Sequence, residues 1–130
     1  MTYDKRNEFL NKIIELTKKE RIVWFFNGEE YFSEELIVKK EYNKYEEEMS
    51  YEFCLKGFAT NFTLKCIESK HDIRRGRKLI YSITTYFDSN EFSTPILDIL
   101  QTAIADQITN RDIKNKNDMI DNFLSYNNIY

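Results

Sequence analysis

One histidine, two cysteines, three glycines and one proline stand in a chain of 130 residues. Each scarcity excludes a class of chemistry. A zinc centre built on imidazoles needs more than His71, and a disulfide framework needs more than Cys54 and Cys66. The glycines form neither of the phosphate-cradling patterns, Gly-x-Gly-x-x-Gly and Gly-x-x-x-x-Gly-Lys-Ser/Thr. His-Glu-x-x-His and Gly-x-Ser-x-Gly are missing too. A basic excess is also lacking. Lys and Arg number 19 against 22 Asp and Glu, a net charge of −3, which excludes a uniformly basic nucleic-acid binder. No apolar run approaches the ~18–20 residues of a membrane-spanning helix. The longest, Ile22-Val23-Trp24-Phe25-Phe26, has strand length. Met1 to Arg6 lead into a mixed helix rather than an apolar signal core, so the expected location is cytoplasmic, with both thiols reduced. No cofactor and no metal are expected.

What is present suffices to fold. Hydrophobic residues make up 42% of the chain, aromatic ones 15% and charged ones 32%. These proportions and the length predict one domain over residues 1–130. Phe9, Ile13 and Leu16, widened by Leu10 and Ile14, recur at helical spacing and predict a helix over 4–20. The period then changes. Ile22 to Phe26 read as a strand running into Asn27-Gly28, a strong hairpin signal. A second strand is centred on Leu36-Ile37-Val38. A third alternates Met49, Tyr51, Phe53 and Leu55 against Ser50, Glu52, Cys54 and Lys56, and Gly57 ends it. Phe62 to Ile67 and Leu79 to Phe87 supply a fourth and a fifth. Strands so close in sequence predict an antiparallel meander, because parallel pairing needs long crossovers.

Thr94-Pro95 starts a further helix, with Leu97, Leu100, Ile104 and Ile108 as its stripe. Asn110 to Asn117 are polar and read as a connection to a last short helix carrying Met119, Ile120, Phe123 and Leu124. The expected fold is therefore α+β: an N-terminal helix, a five-stranded antiparallel β-meander, and two C-terminal helices packed on the sheet.

Catalytic constellations are thin. His71, in Lys70-His71-Asp72 ahead of the last strand, offers a general base steered by Asp72; the plainer reading is a solvent-facing loop histidine. Cys54 and Cys66 would lie opposite each other in a hairpin centred near residue 60, but the plainer reading is small apolar packing. The residues predict a protein that is not an enzyme.

Charge placement carries more information. From Glu29 to Glu52 nine glutamates stand against Lys39, Lys40 and Lys44, a net of −6. From Lys70 to Lys78 five basic residues stand against Asp72, a net of +4. The acidic limb is crowded with aromatic side chains, a composition suited to a protein interface. Glu34, Glu35, Tyr42, Tyr45, Glu46, Glu47 and Glu48 are the candidate protein-binding residues, their partner a basic host or cognate protein. The alternative is a nucleic-acid grip by Arg74, Arg75, Arg77 and Lys78, with Gly76 letting the backbone come close. A homodimer through exposed aromatics is compatible with either.

The opening Glu8-Phe9-Leu10-Asn11-Lys12-Ile13-Ile14-Glu15-Leu16-Thr17-Lys18-Lys19, followed by Ile22-Val23-Trp24, resembles a class of small helix–meander–helix proteins from phages and mobile elements of Gram-positive bacteria. The resemblance covers roughly the first 24 residues and the order of elements, and assigns no functional residue. It implies binding or inhibition, as in anti-defence or immunity proteins.

Overall fold

The computed structural model of the chain describes residues 3–39, 47–58, 61–74 and 76–126. Helix α1 spans Tyr3–Lys18, strands β1 Trp24–Phe26, β2 Glu30–Ser33, β3 Leu36–Lys39, β4 Glu47–Phe58, β5 Asn61–Asp72 and β6 Lys78–Asp88. A 3-10 turn, Ser89–Glu91, leads to the 31-residue helix α2, Thr94–Leu124. The α+β class and the antiparallel sheet are as expected from sequence. The sheet has six strands rather than five, and there are two helices rather than three.

The extra strand comes from a break in the acidic limb. β2 and β3 both pair with β4 along the same edge, Phe32 opposite Cys54 and Leu36 opposite Tyr51. Glu34 and Glu35 sit between them and interrupt the ladder. The hairpin before β2 turns one residue later than the sequence signal places it. Phe26 faces Tyr31, so Gly28 (φ +97°) and Glu29 are central, and Asn27 precedes them. The Asn27 side-chain oxygen accepts the N–H groups of Glu29 and Glu30, both at 2.9 Å, as an Asx turn does.

The missing helix is explained by what the segment 110–117 lacks. It holds no glycine or proline, so nothing breaks the hydrogen-bond ladder. Two i,i+4 ion pairs support it, Lys114–Asp118 at 3.0 Å and Lys116–Asp112 at 3.1 Å. The apolar stripe does change there. Ile113 lies nine residues beyond Ile104, about two and a half turns, and so faces the opposite side. A change of phase in one helix reads in sequence as two helices.

The core lies between the two helices and one end of the sheet. Leu10, Ile13 and Ile14 of α1 meet Leu97, Leu100 and Ile104 of α2 over Phe53, Leu55, Phe62 and Leu64. Trp24 is fully buried, and its indole N–H donates to Thr17 Oγ1 at 2.9 Å. That hydroxyl donates in turn to the Ile13 carbonyl at 2.8 Å. The helices run side by side in one direction, since Ser93 N–H donates to the Asn7 side chain near their starts and Gln107 reaches Thr17 further along. At Gly57 (φ +124°) a Cβ would stand 2.5 Å from the Asn61 carbonyl oxygen, so the β4–β5 hairpin closes only over glycine. Gly57 therefore lies within β4 and does not end it.

Candidate functional site

The cysteines do not meet. The β4–β5 register pairs Phe53 with Cys66 and Cys54 with Lys65. The hairpin centre falls between residues 59 and 60, half a residue short of the sequence expectation. That half step puts the two thiols on opposite faces, because side chains alternate with period two. Cys66 faces the core, and burial pushes its thiol up to about 12. Burial, followed by a hydrogen bond with Glu30, pushes Cys54 up to about 11. Both thiols are therefore protonated at neutral pH and poor nucleophiles.

His71 lies in β5 and not in a loop, opposite Glu48 on one side and Leu79 on the other. Asp72 follows it as the last residue of the strand. That carboxylate receives the Arg74 backbone N–H at 3.0 Å and the guanidinium at 3.1 and 3.2 Å. Among the described residues no group of three or more His, Cys, Asp or Glu is arranged to hold a metal ion.

Of the acidic and basic candidates, Glu35 and Glu48 are brought to Arg77 at one end of the sheet and bind it. Arg77 donates through Nη1 to Glu35 Oε2 at 3.0 Å and through Nε to Glu48 Oε1 at 2.9 Å. Glu48 is buried. Lys70 pairs with Glu47 at 2.6 Å, and this raises the lysine above its usual range. Glu34 is exposed, its backbone N–H bonded to the Val23 carbonyl at 2.9 Å. Lys78 is exposed at the start of β6. Tyr42, Tyr45, Glu46 and Arg75 lie outside the described residues. Next to this cluster Tyr51 donates to Glu68 at 2.7 Å, and burial with that bond pushes its phenol up to about 12. The net charges of −6 and +4 thus cancel in part through contacts inside the fold.

Two features that the sequence reading did not single out as sites are exposed and apolar. The first is the distal half of α2. Every residue from Asp112 to Tyr126 is exposed, including Ile113, Ile120, Phe123 and Leu124. Ile113, Ile120 and Leu124 share one helical face. By the helical rise, this half extends roughly 20 Å beyond Arg111. The second is β6, where ten of eleven residues are exposed, Ile83 by 53% and Tyr86 by 64%. The signal for the first was an apolar stripe out of phase with the buried one. For the second it was a strand charged only at its two ends.

Among the described residues no helix is long and apolar enough to cross a membrane. No family model matches the chain, nor does any curated protein or solved structure.

Proposed function

We propose that the chain is a non-enzymatic protein-interaction module that docks the projecting half of α2 into an apolar groove of a partner protein. The observation that carries this reading is the run 112–126, fully exposed yet presenting Ile113, Ile120 and Leu124 on one face. An amphipathic helix laid into a groove is a recurring mode of recognition, read through anchors spaced in this way. Mixed charges on the remaining faces keep the free helix soluble: Lys114 and Lys116 against Asp112, Asp118 and Asp121. The protonated thiols support the non-enzymatic part.

The ion pairs favour this surface over the acidic one. Glu35, Glu47 and Glu48 would have to release Arg77 and Lys70 before gripping a basic partner. The same holds for a phosphate grip, since Arg77 and Arg74 already have carboxylates. An inhibitor or immunity-type role for the module rests on the resemblance of residues 8–24.

The test is affinity capture from a cell extract, followed by titration of the captured protein against the purified chain. Ile120→Glu with Leu124→Glu should abolish binding, while Glu34→Lys with Glu52→Lys should leave it within about twofold. The reverse pattern, or binding that survives both pairs, overturns the helix-docking reading.

A further inference from the structure

A cleft of about 340 Å³ opens between the β1–β2 hairpin and the docked half of α2. Phe26, Glu29 and Tyr31 of the hairpin, Leu55 of β4, and Thr102 and Ala105 of α2 line it. Phe26 and Tyr31 are cross-strand partners. Their ring centroids lie 4.7 Å apart, with the planes inclined by 37°. Phe26 remains 50% exposed, so its ring stays open to whatever enters the cleft.

The charge of the cleft has one sign. Among the described residues that line it, Glu29 alone is charged. Residues 94–110 of α2 carry no Lys or Arg, and their two carboxylates, Asp98 and Asp106, are exposed one turn to either side of Thr102. Residues 24–33 of the hairpin likewise carry Glu29 and Glu30 and no basic residue. Lys56, next to Leu55 in β4, projects from the opposite face of the sheet, because successive strand side chains alternate. The first basic residue of α2, Arg111, donates to the Trp24 carbonyl and lies 4.4 Å from the centroid of Phe25, whose ring faces away from that of Phe26. The cleft thus combines two aromatic rings with a negative potential.

We infer that this cleft binds a small quaternary ammonium compound, its methyl groups against Phe26 and Tyr31 and its charge beside Glu29. Charge complementarity selects a cation, and an anion such as a phosphate is repelled by Glu29, Asp98 and Asp106. The quadrupole of an aromatic ring attracts a cation placed on its face, and a nearby carboxylate adds to that attraction. The lining selects the kind of cation. Phe26, Tyr31, Leu55 and Ala105 offer mostly apolar surface. A metal ion or a bare ammonium would give up its water there without replacement. A quaternary ammonium has no N–H group to satisfy and sheds its water at less cost. The volume stands at the low end of ligand sites, which suits a compound the size of choline. The cleft uses the docked half of α2, so the inference is independent of the docking role of residues 112–126.

Nuclear magnetic resonance titration of the purified full chain tests it with two probes: choline, and its uncharged carbon analogue, in which a tert-butyl group replaces trimethylammonium. Choline should cause saturable shifts at the amides of 26–31 and 101–105. Its methyl protons should move upfield, as protons above an aromatic ring do. It should bind at least about threefold more tightly than the uncharged analogue. Glu29→Gln, at an exposed turn position, should weaken choline about threefold and leave the analogue unchanged. Phe26→Leu keeps apolar cover but removes the ring, and should weaken choline and reduce the upfield displacement. Thr102→Trp, at an exposed helix position, fills the cleft and should block both probes. Equal affinity for the two probes overturns the inference. So does a choline site unmoved by Glu29→Gln and Thr102→Trp, or the absence of any saturable shift at tens of millimolar choline.

Discussion

Arg77 decides what the charged residues can do. Its guanidinium fork reaches two carboxylates at once, a geometry that a lysine could not copy. Glu48 is buried, so it depends on that partner more than a surface carboxylate would. Replacing Arg77 by Gln takes from the buried Glu48 the guanidinium that bonds it, and we expect a loss of about 1–3 kcal/mol of stability. Chemical denaturation measures it. The double variant Arg77→Gln with Glu48→Gln should lose less than the two single losses combined, because the stranded charge is then gone. An additive result would show that the pair contributes nothing beyond its parts. The sequence displayed both charge clusters plainly. It could not display their pairing, since Glu35 and Arg77 stand 42 residues apart and meet only through the register of β3, β4, β5 and β6. The cysteines show the same limit: a half-residue error in the centre of one hairpin separates a facing pair from thiols on opposite faces. Local chemistry is legible at this scale, whereas contacts set by register are not.

Elements were more legible, and each error has a local cause. The strands at 47–58 and 78–88 are legible within a few residues because period-two alternation survives partial exposure, whereas β5 continues past Ile67 to Asp72, through a polar stretch that reads as a loop. The split of β2 from β3 is not legible because charged residues in a β-forming run do not announce a break. Helix α2 reads as two helices because its stripe changes side, although its backbone does not change. Gln107 sits near that change of side and joins three elements. Its amide nitrogen donates to the carbonyls of Thr17 and Ile22, at 2.9 and 2.8 Å, and its oxygen takes the Trp24 N–H. Gln107→Leu keeps the size and removes three hydrogen bonds; of the three backbone groups, the Thr17 carbonyl keeps the Glu20 N–H at 3.1 Å. The expected cost is about 2–4 kcal/mol. Trp24 fluorescence should report it, as the indole is the core residue nearest the lost contacts. Asn110→Leu, one turn away on an exposed position, is the control and should change stability by less than about 0.5 kcal/mol.

At the scale of the whole molecule the chain divides into a packed body and an arm. The buried residues of α2 end at Ile104, with Gln107, Ile108 and Arg111 half-buried beyond them. From Asp112 to Tyr126 every residue is exposed. Packing, more than propensity, holds most protein helices together, and an isolated helix of this length is marginal in water. The arm persists through continuity with the docked half and through its two i,i+4 ion pairs, each contributing only about 0.2–0.5 kcal/mol. A chain ending at Arg111 keeps the guanidinium on Trp24 and the Gln107 joint, yet loses 13 of the 31 residues of α2. It should therefore unfold with a free energy within about 1 kcal/mol of the full chain, while its far-UV helical signal falls. In the full chain, amides of 113–124 should exchange far faster than those of 97–108, since local opening there breaks no buried contact. Destabilisation by several kcal/mol on truncation would mean that the arm folds back onto the body, and it would remove the free helical face that partner docking requires. Fast exchange that slows only when a partner is added is the pattern expected of a helix held out for capture.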